Sequence, residues 1–168
     1  KKIWNKNLGK IRFNACAIDK SDRVFLGGYK EKDTLGGQYS VTAFSADGRR
    51  LNEKVYTGRG QVNDIRVTSE GNIFLCGSNW LMLMEPRRYI IWDAAIDTSL
   101  TATSAARSVA GDMYIAGYNK EKIFYARYSP NGQKIWLRDY SKSDTTQLIK
   151  DIAVTSGNIL VSLETSRD

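Results

Sequence analysis

The chain contains no histidine. That removes the side chain that most often serves as a general base near neutral pH and most often ligates transition metals. No Ser-His-Asp or Cys-His arrangement can be assembled from these residues. Cysteine is nearly absent too. Cys16 and Cys76 are the two in 168 residues, too few for a disulfide framework and, without histidine, too few for a zinc site. Both lie among apolar residues and are expected to be buried, inert thiols. There is no P-loop and no Gly-x-Gly-x-x-Gly fingerprint. No apolar run approaches the roughly 18 residues of a membrane-crossing helix. No secretory leader is visible, and because Lys1 is not a start methionine, the sequence is expected to begin inside a longer product. These absences lead us to expect a non-enzyme with no catalytic residue, no metal and no cofactor.

What remains is ordinary globular material, 42% hydrophobic and 26% charged with a net charge of +7. The positive balance suits acidic partners. However, 18 acidic residues are interspersed and no long basic run exists, so nucleic acid is not the expected partner.

A pattern of aliphatic residues and glycine returns four times. Its anchors are Val24-Phe25-Leu26-Gly27-Gly28, Ile73-Phe74-Leu75-Cys76-Gly77, Met113-Tyr114-Ile115-Ala116-Gly117 and Ile159-Leu160-Val161-Ser162-Leu163. The anchors stand about 40 to 50 residues apart, the period of a propeller array. Before each anchor comes a turn and an alternating strand: Ala15–Asp19, Asp64–Thr68, Ser104–Ser108 and Asp151–Thr155. After it come a variable loop, a third strand (Tyr39–Phe44, Leu81–Met84, Ile123–Tyr128), a turn, and a fourth strand (Leu51–Tyr56, Tyr89–Ala94, Ile135–Tyr140). The turns Ser45-Ala46-Asp47-Gly48 and Ser129-Pro130-Asn131-Gly132 carry strong turn chemistry, whereas Glu85-Pro86-Arg87-Arg88 fits less well. Trp4, Trp92 and Trp136 fall in register on the fourth strand, with Asn52 in that slot of the first repeat. A tryptophan recurring once per unit is expected to pack between neighbouring units.

With strands lettered A to D, the chain reads D, three times ABCD, then AB. The units are 1–9 (a D strand), 10–57, 58–97, 98–141 and 142–168. The expected fold class is all-β, a β-propeller segment of three to four four-stranded antiparallel blades. It is expected to belong to a propeller of roughly six to eight blades, the remaining blades being its first partners.

The run from Ile123 through Ser129-Pro130-Asn131-Gly132 to Trp136, followed by Asp151-Ile152-Ala153-Val154-Thr155 and Gly157-Asn158-Ile159, resembles the bacterial SBBP-type (delta-60-like) β-propeller repeat. The resemblance covers essentially the whole chain, is good in the third repeat, fair in the first and eroded in the second. Quinoprotein-type propeller repeats are the second choice, and the second repeat has some likeness to WD repeats without their Gly-His element. The resemblance implies a binding or scaffolding module of a secreted, periplasmic or cell-surface protein. A cytoplasmic location remains the alternative.

Propellers bind through loops at one end of their blades. The loops between strands B and C offer Tyr29, Lys30, Lys32, Trp80, Tyr118, Asn119, Lys120 and Lys122. Aromatic and cationic groups together suit an acidic or carbohydrate-like partner, or a protein hot spot. The opposite face offers Arg49, Arg50, Arg87 and Arg88, with Lys134. Asp64 and Asp151 recur near the start of strand A, either lining a central channel or bonding a neighbouring element. The reading is a non-enzymatic scaffold for a protein partner. The alternative is a ligand- or substrate-binding propeller of an enzyme whose catalytic residues lie outside this chain.

Overall fold

The computed structural model describes residues 4–5, 7–30, 38–57, 60–87, 89–142, 147–156 and 158–165. These residues form fourteen strands and no helix. Blade 1 comprises β1 (Ile11–Ile18), β2 (Val24–Lys30), β3 (Gln38–Phe44) and β4 (Arg50–Thr57). Blade 2 comprises β5 (Val62–Val67), β6 (Ile73–Gly77), β7 (Trp80–Met84) and β8 (Ile90–Ala95). Blade 3 comprises β9 (Thr101–Arg107), β10 (Met113–Tyr118), β11 (Lys122–Tyr128) and β12 (Lys134–Ser141). Blade 4 holds β13 (Gln147–Val154) and β14 (Ile159–Thr165). Within each sheet, spatial order follows chain order and every pair is antiparallel. The first strands β1, β5, β9 and β13 lie successively side by side. That is the blade arrangement of a β-propeller.

The core lies between blades rather than inside them. One cluster joins Phe25, Tyr39 and Val41 of blade 1 to Ile65, Leu75, Trp80 and Met82 of blade 2. A second joins Phe74, Cys76, Leu81 and Leu83 to Ala105, Ile115 and Phe124 of blade 3, and a third joins Tyr114 and Ala116 to Ile149 and Ile152 of blade 4. Blade 2 is covered on both faces, so β6 and β7 are buried at every residue instead of alternating. Burial leaves the Cys76 thiol inert and pushes its pKa up. The expectation for Cys16 is corrected: it lies on the exposed side of the alternating strand β1, and among the described residues no blade lies over that side.

Two β-bulges recur in the blades. In the first strand the bulged residues are Asn14, Asn63, Thr103 and Lys150, each skipped by the pairing with the second strand. In the fourth strand they are Leu51, Ile91 and Ile135, each one residue before the tryptophan slot.

The tryptophan slot does join neighbours. The Trp92 indole N–H donates to the Pro130 carbonyl of the next blade's turn at 2.9 Å. That of Trp4 donates to the Ala46 carbonyl at 3.1 Å. The rings rest on the glycines that end these turns. A Cβ at Gly132 would stand 2.6 Å from the Trp92 ring, and one at Gly48 would stand 2.6 Å from the Trp4 ring. Asn52, the exception in the sequence, reaches the corresponding Pro86 carbonyl through its side-chain amide at 3.4 Å.

Candidate functional site

The B–C loop candidates do not form one surface. Trp80 opens β7 and is 2% exposed, packed on Tyr39 with ring centroids 4.7 Å apart. Its indole fills the space that a side chain on Gly77 would need: a Cβ there would meet the ring at 2.1 Å. Trp80 therefore belongs to the wall between blades 1 and 2, and its place on a binding face is corrected. Tyr29 sits beneath the Arg12 guanidinium, 6.0 Å from the ring centre, at the blade-1 end of the face. Lys30 ends β2 there, paired with Ile11 and Gln38. Lys32 lies outside the described residues.

Tyr118, Asn119, Lys120 and Lys122 do come together. They form one bank of a groove of about 1030 Å³ between blades 2 and 3. The other bank is the β8–β9 connection, residues 96–100, which sequence reasoning passed over. It is pinned at both ends to the β6–β7 turn: Ile96 N–H donates to the Asn79 carbonyl at 2.8 Å, and Ala102 N–H to the Ser78 carbonyl at 2.9 Å. Within it, Asp97 accepts the Ser99 N–H at 2.9 Å. The Ser99 N–H and hydroxyl, aided by Lys134, hold the Asp97 carboxyl below the usual carboxylate range.

Asn119 is a turn-former rather than a free ligand. Its side-chain oxygen accepts the N–H groups of Glu121 and Lys122, at 2.9 and 2.7 Å. The Lys142 N–H then donates to the Glu121 carbonyl at 2.8 Å, tying the end of β12 to this loop. Lys122 belongs to β11, not the loop, and its ammonium pairs with Asp139 at 2.9 Å. Lys142, which the sequence did not single out, stands over the Tyr118 ring at 4.8 Å, a cation–π contact worth about 0.5–1 kcal/mol.

Ile96, Leu100, Leu137 and Leu148 give the groove an apolar lining. Four ammonium groups (Lys120, Lys122, Lys134, Lys142) face three carboxylates (Asp97, Glu121, Asp139). The groove is thus amphipathic, with a slight cationic excess.

The arginines of the opposite face sit on separate elements. Arg50 is held by Glu53 at 2.8 Å, Arg49 and Arg87 lie in or beside separate turns, and Arg88 falls outside the described residues. Lys134 lines the groove instead of joining them.

The inner carboxylates are committed to structure. Asp64 accepts the Ala105 N–H of the next blade at 2.8 Å and its neighbour's, Ile65, at 2.7 Å. Arg66 bridges Asp64 and Asp151, at 2.9 and 3.2 Å. Burial raises the Asp64 pKa despite the opposing pull of Arg66 and those N–H donors. Among the described residues, no three His, Cys, Asp or Glu side chains converge as metal ligands would, and no helix is long and apolar enough to cross a membrane.

No protein-family profile matches the chain, and no curated protein does. Solved structures do. The WD40 domain of Neurospora crassa Pan2 superposes with a TM-score of 0.65 at 12% identity, over 90% of this chain and 43% of that one. A catalytically inactive virginiamycin B lyase from Staphylococcus aureus with quinupristin gives 0.68 at 14% identity, over 95% and 51%. A protein of unknown function from Bacteroides caccae gives 0.66 at 16% identity, over 95% and 56%. These likenesses are of fold. The chain spans about half the length of each of them.

Proposed function

We propose that this propeller segment is a non-enzymatic scaffold and that the groove between blades 2 and 3 receives a protein partner. The partner is an extended segment that presents acidic and apolar side chains in alternation. The groove carries the reading: its apolar lining and its lysine-rich rim are offered by loops that are pinned rather than loose. Lys122 is matched by Asp139 in a half-exposed pair, worth about 0–1 kcal/mol and easily exchanged for a partner's carboxylate. Propellers are also suited to this use, because their blades hold loops at fixed spacing on a rigid frame. The repeat resemblance supports assignment to the bacterial SBBP-type group and a place of work outside the cytoplasm.

The probe is an immobilised random copolymer of glutamate and tyrosine, with heparin and single-stranded DNA as comparators. We expect binding to the copolymer that weakens with salt and falls about tenfold in Lys120→Glu/Lys142→Glu, with the comparators bound more weakly. Copolymer binding unchanged by the double reversal would remove the groove from the reading. Tighter, steeply salt-dependent binding to DNA would replace the protein partner with nucleic acid.

A further inference from the structure

Among the described residues two tyrosine pairs stack, each across an outer hairpin. In blade 1, Tyr39 and Tyr56 lie face to face, with centroids 4.5 Å apart and planes 5° from parallel. In blade 3, Tyr125 and Tyr140 have centroids 5.8 Å apart and planes 14° from parallel. Tyr140 holds the slot on β12 that Tyr56 holds on β4, four residues beyond the tryptophan position. Their partners differ. Tyr56 stands opposite Tyr39 itself in the ladder. Tyr140 stands opposite Ile123 and reaches along the face to Tyr125, which is opposite Arg138.

That offset changes the chemistry. In blade 1 the Tyr39 hydroxyl donates to Met82 Sδ at 3.9 Å, and the Tyr56 hydroxyl is sealed from solvent. In blade 3 the two hydroxyls meet at 3.0 Å, one donating to the other, and Tyr140 is 50% exposed. A phenol that gives up an electron but keeps its proton is a cation, which a buried site penalises. The blade 1 pair is therefore protected from oxidation, whereas Tyr140 can release its proton to water. The competing electron donor is the Trp136 indole, edge-on to Tyr125 at 5.5 Å. The Arg138 guanidinium stands 5.4 Å from the centre of that ring, so a positive charge left on the indole is repelled. Oxidation settles on the two tyrosines.

We propose that Tyr125 and Tyr140 are a site of oxidative cross-linking, at which a one-electron oxidant such as a peroxide-activated haem joins the two rings as a dityrosine. Tyr140 gives an electron to the oxidant and its proton to water. A second equivalent of oxidant takes an electron from Tyr125, whose proton leaves by way of the shared hydrogen bond. The ring carbons next to the two oxygens then bond to each other. The hydrogens they carried move to the oxygens, and both rings are aromatic again. Two electrons and two protons leave in all, and one C–C bond replaces two C–H bonds. The paired hydroxyls act as the template, because the product keeps its two oxygens side by side, flanking the new bond. The link ties β12, held in its sheet by β11 alone, to β11 covalently. The cysteines cannot supply such a tie, since Cys76 is buried in blade 2 and Cys16 belongs to blade 1. The proposal does not rest on the scaffold reading.

The test irradiates dilute protein with tris(bipyridine)ruthenium as photosensitiser and persulfate as electron acceptor. The monomer is isolated and digested with trypsin, which releases Tyr125 in residues 123–127 and Tyr140 in residues 139–142. We expect these two peptides joined, two hydrogens lighter than their sum and fluorescent as a dityrosine. Because the rings are already positioned, the joined pair should exceed any other tyrosine–tyrosine link in the monomer by about tenfold. Tyr125→Phe and Tyr140→Phe retain the ring contact and should each abolish it. In urea, where the hairpin is lost, its share should fall to that of the other links. A joined peptide that is missing from the monomer, or no more abundant than a Tyr39–Tyr56 link, overturns the proposal. So does one that survives either phenylalanine variant or forms equally well in urea.

Discussion

The contact between Trp92 and Gly132 can be weighed by comparing two glycines that share a backbone conformation. Gly132 has φ of 84° and Gly71 has φ of 85°, both in the left-handed region. Alanine at either position incurs the left-handed penalty of about 1–2 kcal/mol. The surroundings differ. Around Gly71 an added Cβ meets nothing within 4 Å, whereas at Gly132 it stands 2.6 Å from Trp92. The ring cannot swing aside freely, because its N–H is committed to Pro130 at 2.9 Å and its flank to Phe74, with centroids 6.0 Å apart. Overpacking of this kind costs about 1–3 kcal/mol more. At about 2–4 °C per kcal/mol for a chain of this size, Gly132→Ala should melt roughly 6 °C below Gly71→Ala. Thermal unfolding followed by circular dichroism reads both, and urea midpoints at unchanged m-value confirm that the difference is stability. In a Trp92→Leu background the excess should vanish, since only the backbone penalty is left. Equal losses for the two alanine variants would refute the idea that turn glycines are kept as seats for the neighbouring ring.

The remaining predictions concern titration and reactivity. Because burial raises the Asp64 pKa above its unfolded value near 4, its charged form is penalised at neutral pH, and that penalty fades as pH falls through the folded pKa. Asp64→Asn should therefore compare best with the parent at pH 7 and worst at about pH 3.5; urea midpoints showing the reverse trend would mean that Arg66 and the backbone donors outweigh burial. With Ellman's reagent, the native protein should give one fast thiol, Cys16, while Cys76 reacts only on unfolding; two fast thiols would contradict the closed boundary between blades 2 and 3.

The fold class could be read from the chain because its signals are local. Alternating strands, Asp-Gly and Asn-Gly turns, and a tryptophan in one register all lie within a few residues of one another. Trp80 defeated that logic. It follows Ser78-Asn79 and reads as a loop aromatic, yet the space for it is made by Gly77 on the paired strand and by Tyr39 of another blade. Cys16 failed for the opposite reason, since an apolar context does not reveal which side of β1 has a neighbour. The bulges at Asn14, Asn63 and Thr103 could have been suspected from a recurring small polar residue just before the Ala15, Asp64 and Ser104 positions. The groove could not. Lys142 and the 96–100 connection reach it only through tertiary hydrogen bonds across tens of residues, and no local pattern encodes that meeting.

The bulges on the outer strands have a consequence for what can happen at the rim. β4, β8 and β12 each end a sheet, and a straight, continuous edge of that kind invites a neighbouring molecule to zip on by main-chain pairing. Leu51, Ile91 and Ile135 break the rhythm of donors and acceptors one residue before each tryptophan slot. A foreign strand approaching the rim would therefore lose register within a few residues. Molecules meeting rim to rim can touch through side chains, but they have no template along which to grow a shared sheet.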